Sequence, residues 1–80
     1  MDKQKLFEKI CDFYNCSFLY NKDGTVKDSS NDIDWERTYS NIDEALKEWL
    51  YTLEESNKDS QEQANCNTWD IEDINFIKSL

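Results

Sequence analysis

The first part of the chain has the spacing of an amphipathic helix. Its apolar and weakly polar residues recur three or four positions apart, which places them on one side of an α-helix. These residues are Leu6, Phe7, Ile10, Cys11, Phe13 and Tyr14. Asp2 is a suitable N-cap and Asn15 a suitable C-terminal residue. We therefore predict a first helix from Asp2 to about Tyr14, largely buried on that side.

The pattern then becomes one that is typical of strands. Residues 16–21 (CSFLYN) are a short apolar run, and residues 21–24 (NKDG) form a turn sequence that places the only glycine where a positive φ is needed. Residues 25–27 are the predicted returning strand, and residues 29–32 a polar loop. Apolar and polar residues alternate over residues 33–40. One face of this last strand would carry Ile33, Trp35, Arg37 and Tyr39. The pattern predicts an antiparallel sheet of about three strands.

Residues 40–56, SNIDEALKEWLYTLEES, have the clearest helical pattern in the chain. Asn41 and Glu44 stand at the spacing of a capping box, and Ser40 with Asp43 gives an alternative frame. A stripe of apolar residues follows with a 3.6-residue period. Its members are Ile42, Ala45, Leu46, Trp49, Leu50 and Leu53. We expect this stripe to pack on the sheet.

The end of the chain predicts a linker and a last helix. Residues 57–67 (NKDSQEQANCN) are polar and show no hydrophobic pattern, whereas Thr68 or Asp70 can cap a helix after them. That helix has acids in its first turn and Lys78 in its last, as the helix dipole favours. Its apolar residues are Trp69, Ile71, Ile74, Phe76, Ile77 and Leu80. This stripe is wider than a thin core needs, so part of it is available to a partner or a second copy.

Together these elements predict an α+β fold. An N-terminal helix comes first, then a small antiparallel sheet of about three strands, then two C-terminal helices. Eighty residues without an internal repeat or a Pro/Gly-rich boundary predict a single domain over residues 1–80. No apolar run is long enough to span a membrane, and the first ten residues lack the apolar core of a secretory signal. We expect a cytoplasmic protein.

Charge narrows the choice of partners. Nine basic and eighteen acidic residues give a net charge of −9, which disfavours direct binding to nucleic acid or anionic lipid. Residues 1–27 carry five basic and four acidic side chains, whereas residues 28–80 carry four basic and fourteen acidic ones. The acidity therefore belongs to the second part of the chain, where it attracts a basic partner or simply keeps the protein in solution.

Neither an active site nor an obvious metal site can be read from the residues. The chain has no histidine, which removes the commonest general base, and one glycine cannot build a phosphate-binding loop. We expect no enzymatic activity. The three cysteines, Cys11, Cys16 and Cys66, admit two interpretations. They are reduced and partly buried thiols, or they bind a zinc ion with a fourth ligand that the sequence does not identify.

A line of acidic side chains is the best candidate for a binding surface. On the helix predicted over residues 40–56, Glu44, Glu48, Tyr51 and Glu55 share the exposed side. Residues four apart on a helix lie about 6 Å from each other, a spacing similar to that of successive phosphates on one nucleic-acid strand. The other candidates for this surface are Glu54, Asp34 and Glu36. The alternative is an ordinary solvated helix face, with Tyr51 a harmlessly exposed ring rather than an interface anchor.

The second half also resembles a known class of proteins. WERTYSNIDEALKEWLYTLEESN, residues 35–57, and WDIEDINFIKSL, residues 69–80, resemble small acidic proteins that phages and mobile elements of low-GC Gram-positive bacteria carry. The resemblance implies an inhibitor of host defence of the anti-CRISPR type, which binds a Cas nuclease. Some such inhibitors mimic DNA, and others block DNA loading by binding a protein domain.

Two functional hypotheses follow. In the first, the chain is a small inhibitor that binds a basic, nucleic-acid-binding surface of a Cas nuclease through its acidic face, as a DNA mimic or as an ordinary blocker. The near-neutral residues 1–27 argue against mimicry over the whole surface. In the second, it is an acidic protein–protein interaction or regulatory module, monomeric or homodimeric, with no nuclease-related role.

Overall fold

The computed structural model describes residues 2–80 and confirms the predicted α+β order of elements. Its helices and strands are α1 (Lys3–Phe13), β1 (Cys16–Tyr20), β2 (Val26–Ser30), β3 (Glu36–Tyr39), α2 (Ile42–Ala64) and α3 (Ile71–Lys78). The chain divides into two compact units, the first ending at Ala45 and the second running from Leu46 to Leu80. None of the helices in the described residues is both long and apolar enough to cross a membrane.

The first helix begins and ends where its capping residues predict. The Asp2 carboxylate accepts hydrogen bonds from the backbone N–H groups of Gln4 and Lys5, at 3.0 and 3.2 Å. These bonds satisfy two of the amides that a helix start leaves open. After Phe13 the chain turns at Asn15, whose φ of 56° lies in the left-handed region that Asn tolerates. Both predicted ends of α1 are therefore confirmed.

One side of α1 packs on the sheet. The buried residues of the helix are Leu6, Phe7, Ile10 and Cys11. The Phe7 ring lies 6.3 Å from the rings of both Phe18 and Tyr20 on β1. The prediction that Phe13 belongs to this buried side is wrong, since its side chain is 58% exposed. Phe13 lies at the border of the apolar side and in the last turn of the helix.

The sheet is antiparallel, in the order β1-β2-β3. Gly24, at φ 93°, makes the turn between β1 and β2 as predicted. The prediction of a loop over residues 29–32 is partly wrong, because β2 continues through Ser30. The predicted start of β3 at Ile33 is also wrong. The Ser30 hydroxyl accepts hydrogen bonds from the N–H groups of Asp32 and Ile33, so the chain bends there, and Ile33 is 64% exposed.

Asn41 is the cap of α2. Its side-chain oxygen accepts a hydrogen bond from the N–H of Glu44 at 3.0 Å, while the Glu44 carboxylate accepts one from the N–H of Ser40 at 3.3 Å. This reciprocal arrangement is the predicted capping box, with Glu44 reaching one residue further back than the standard form. Lys3 pairs with Asp43 at 2.7 Å and joins the starts of α1 and α2 within the first unit.

The second unit corrects the prediction of a linker over residues 57–67. Helix α2 continues through Ala64 and ends before Asn65, whose φ is 54°. Asn57 is buried, and its side chain accepts a hydrogen bond from the Trp69 N–H at 2.6 Å and donates one to the Trp69 carbonyl at 2.9 Å. One turn later, Ser60 contacts Thr68 through their hydroxyls. These contacts hold the segment before α3 against α2.

Helix α3 leaves part of its wide apolar stripe exposed, as the sequence predicts. Ile74 and Ile77 are buried, but Ile71 is 52% exposed. Asp70 occupies the N-cap position without a side-chain capping bond, and its carbonyl accepts from the N–H groups of Asp73 and Ile74. Ile71 is the first residue of this short helix, and it lies at the edge of the buried side.

Candidate protein-binding surface

The exposed side of α2 in the second unit carries a continuous acidic stripe. We define this acidic stripe as Glu48, Tyr51, Glu55, Asp59 and Glu62, all of them exposed. Successive members are three or four residues apart, so they fall within a sector of about 80° and extend over about 21 Å of helix. The Tyr51 side chain is 74% exposed. Within residues 2–80 the structure records no ion pair to the four carboxylates of the stripe.

The position of the stripe follows from the apolar residues of the same helix. Leu46, Trp49 and Leu53 are buried with 0%, 5% and 0% exposure. They recur at helical spacing, so the opposite side of α2 faces solvent along its length. A rigid helix thereby holds four carboxylates and one aromatic ring in a fixed order. This arrangement suits a flat or grooved surface that carries several positive charges.

Glu54 has a different environment from the stripe. Its carboxylate pairs with Lys78 at 3.8 Å, which links α2 to α3 within the second unit. Both side chains are about half exposed, so the pair contributes little to stability. Its residue position also places Glu54 outside the sector of the stripe. Glu54 is therefore a weaker candidate for partner binding than Glu48 or Glu55.

Three of the predicted surface residues belong to the first unit. Glu44 is exposed and accepts the capping hydrogen bond from Ser40. Glu36 is exposed on β3 and pairs with Lys27 at 3.0 Å. Asp34 is exposed in the loop before β3. All three can meet solvent, but Lys27 partly neutralises the charge of Glu36, and the Glu44 carboxylate also serves the start of α2.

Sequence reasoning missed two members of the stripe, Asp59 and Glu62. Both lie in residues 57–64, which lack an apolar pattern and were therefore assigned to a linker. Two features of the sequence do indicate a helix there. The spacing of Glu55, Asp59 and Glu62 continues the helical period, and no proline or glycine interrupts residues 57–64.

The three cysteines lie in both units, Cys11 and Cys16 in the first and Cys66 in the second. All are free thiols, with Cys11 and Cys16 buried and Cys66 exposed. Among residues 2–80 no group of three or more His, Cys, Asp or Glu side chains is placed to hold a metal ion. Burial, followed by the negative charge of Asp28, raises the pKa of the Cys11 thiol to about 12. Burial also raises the pKa of Cys16. The zinc interpretation of the three cysteines stays a prediction.

Asp28 is a buried carboxylate that the sequence interpretation also missed. It is 0% exposed on the inner face of β2, where the Tyr39 hydroxyl donates to it at 2.9 Å and the Arg37 guanidinium lies 3.5 Å away. The guanidinium also lies over the rings of Trp35 and Tyr39, at 4.7 and 5.6 Å. These contacts offset part of the cost of burying the carboxylate, which is a structural role.

Comparison with known proteins finds no matching family model, no matching curated protein and no matching solved structure.

Proposed function

We propose that the protein is a small stoichiometric inhibitor that binds a basic, nucleic-acid-binding surface of a host defence protein. The partner class that the sequence resemblance favours is a Cas nuclease, which makes this chain an inhibitor of the anti-CRISPR type. The observation that supports the proposal is the acidic stripe. Across the described part of the chain its four carboxylates have no ion pair, and they follow one side of a helix for about 21 Å.

The charge of the second unit supports a basic partner. Residues 46–80 contain three lysines and eight acidic residues. Successive carboxylates of Glu55, Asp59 and Glu62 are about 4.5–6 Å apart along the helix axis. This distance is close to that between successive phosphates of one nucleic-acid strand, which a channel lined with Lys and Arg binds. Such a field speeds encounter with a positive surface and repels DNA itself. The inhibitor would thus occupy the surface that the nuclease needs for its substrate.

Tyr51 gives the stripe an apolar contact among its charges. It lies between Glu48 and Glu55 and has most of its side chain in solvent. Tyrosine is enriched among the residues that dominate binding energy at protein interfaces, because it buries a large ring and still donates a hydrogen bond. Its presence favours a protein surface with a pocket for the ring over purely electrostatic contact.

The decisive experiment is charge reversal within the stripe. Glu48→Lys/Glu55→Lys changes the charge by four units on the proposed contact side. Asp12→Lys/Glu72→Lys makes the same change at two exposed positions outside it. Both variants are compared with wild type in DNA cleavage by a panel of Cas nucleases. Glu44 is left unchanged, because replacing it would also remove the capping-box hydrogen bond that its carboxylate accepts from the Ser40 N–H.

We expect the stripe variant to lose inhibition by at least about tenfold and the control variant to keep it, because interface charges determine both encounter and fit. Binding of wild type should weaken steeply between about 0.05 and 0.5 M salt. Circular dichroism establishes that both variants are folded. If the stripe variant inhibits a susceptible nuclease as well as wild type, the acidic stripe is not the contact surface.

A second candidate function has one specific observation in its favour. Ile71 is 52% exposed at the start of α3, where a second copy or a protein partner would cover it. A homodimeric interaction module predicts self-association in sedimentation experiments, which Ile71→Lys abolishes. It also predicts no effect of the wild-type protein on nuclease cleavage, and this result separates it from the inhibitor.

A further inference from the structure

Strand β3 forms one edge of the sheet. The N–H of Ser30 donates to the carbonyl of Trp35 at 3.1 Å, so these two residues are a hydrogen-bonded pair of the β2-β3 ladder. Hydrogen-bonded and non-bonded pairs alternate along an antiparallel ladder. Arg37 therefore bonds to β2 at Asp28, whereas Glu36 and Thr38 direct their N–H and C=O groups away from β2.

These outward groups are open to solvent. Glu36 and Thr38 are both exposed residues. Within residues 2–80 no backbone or side-chain group is recorded as accepting a hydrogen bond from their outward N–H groups. The edge thus offers two donors and two acceptors in the extended geometry that another strand requires.

Apart from the short length of β3, which has four residues, the usual protections of an edge are weak here. The chain has no proline, and the β2-β3 register is continuous from Ser29–Glu36 to Val26–Tyr39, without a bulge. Each of the two charged residues of β3 pairs with a residue of opposite charge on β2, Glu36 with Lys27 and Arg37 with Asp28. The strand therefore presents little net charge to keep an approaching strand away.

The charges around β3 indicate which strand fits. Exposed carboxylates precede it at Asp32 and Asp34 and follow it at Glu44. Asp32 accepts a hydrogen bond from Asn15 and Glu44 accepts one from Ser40, but both donors are neutral and leave the negative charges in place. A second copy of the chain fits poorly. Each copy carries a net charge of −9, and antiparallel pairing of Glu36 with Thr38 of the other copy would set the two Arg37 side chains directly opposite each other. An extended segment with alternating Lys or Arg residues meets the carboxylates instead.

We infer that the free edge of β3 binds an extended basic segment of a partner protein, which adds as a fourth strand of the sheet. Main-chain hydrogen bonds from Glu36 and Thr38 give the attachment, and the flanking carboxylates select for positive charge. This surface lies in the first unit and goes beyond the proposed function, because it does not depend on the acidic stripe.

Amide hydrogen exchange measured by NMR tests the inference on the full ¹⁵N-labelled chain. In the free protein, the amides of Glu36 and Thr38 should exchange fast, whereas those of Arg37 and Tyr39, which donate to β2, should exchange slowly. The probe is an acetylated, amidated peptide of four Lys-Val repeats, and its matched control has four Glu-Val repeats. At ten times its Kd, the basic peptide should slow exchange at Glu36 and Thr38 about tenfold.

A single substitution provides the second arm. Thr38→Pro removes one outward donor and keeps the bonds between β3 and β2, since proline is tolerated on the open side of an edge strand. It should abolish the protection that the peptide gives to Glu36 while Arg37 stays slow. If this variant unfolds, the comparison of the two peptides with the wild-type protein decides alone.

Three results would overturn the inference. The first is that the amides of Glu36 and Thr38 exchange as slowly as that of Arg37 in the free protein. The second is that the basic peptide, at millimolar concentration, protects neither amide, or protects the amide of Phe18 on the opposite edge instead. The third is that the acidic peptide protects the amides of Glu36 and Thr38 as well as the basic peptide does. Charge reversal of the acidic stripe should leave the peptide result unchanged, so the two proposals can fail separately.

Discussion

Replacing Asn57 with alanine tests how the second unit is held together. The Asn57 side chain makes two hydrogen bonds to the backbone of Trp69, and both residues are buried, with 7% and 1% exposure. Asn57→Ala leaves one buried N–H and one buried C=O without these partners, at about 1–3 kcal/mol each. Alanine is a better helix former by about 0.5 kcal/mol, which offsets a small part of the loss.

We therefore expect a net loss of about 2–5 kcal/mol in the free energy of unfolding. That is a large fraction of the roughly 4–12 kcal/mol that a domain of this length has in total. With a urea m-value of about 1 kcal/mol/M, the midpoint of unfolding should fall by about 2 M or more. Equilibrium urea unfolding followed by far-UV circular dichroism measures this shift.

Two further variants make the result specific. Gln61→Ala removes an exposed side-chain hydrogen bond to Asn67 and should change stability by less than about 0.5 kcal/mol. Asn57→Asp keeps an acceptor for the Trp69 N–H but sets a buried carboxylate against the Trp69 carbonyl, so its loss should be at least as large as that of Asn57→Ala. If Asn57→Ala is no less stable than Gln61→Ala, the Asn57–Trp69 contact does not hold the second unit together.

Further predictions concern the first unit and the thiols. Cys66 should react with a thiol reagent in the native protein much faster than Cys11 and Cys16, and mass spectrometry should find a single rapid modification. Because the pKa of Cys11 is raised to about 12 by burial, its contribution to stability is complete below about pH 9 and is lost as the pH rises towards 12. Cys11→Ala should flatten this alkaline decline in urea unfolding, and an unchanged decline would contradict the assignment. Asp28→Ala should cost about 1–3 kcal/mol, because the buried hydroxyl of Tyr39 loses its acceptor; a thermal unfolding midpoint equal to that of wild type would refute this.

Local chemistry determined much of the fold. The Asp2 cap, the left-handed Asn15, the turn at Gly24 and the capping box at Asn41 act through neighbours within four residues. Such features depend on side-chain size, hydrogen-bonding groups and permitted φ values, which the sequence states directly. The order of helices and strands could therefore be predicted, and so could the exposed acidic side of α2 from Glu48 to Glu55.

Contacts between distant residues decided the rest. Residues 57–64 have no apolar stripe, and they are helical because Asn57 and Ser60 bind groups 8–12 positions later in the chain. That extension adds Asp59 and Glu62 to the acidic stripe. Asp28 is a charged residue that its neighbours in sequence do not mark as buried, yet it is buried beside Tyr39, which donates a hydrogen bond to it, and Arg37, which pairs with it, both on the next strand. The sequence shows which hydrogen-bonding groups a polar residue has, but only the tertiary structure decides whether their partner is water or another part of the chain.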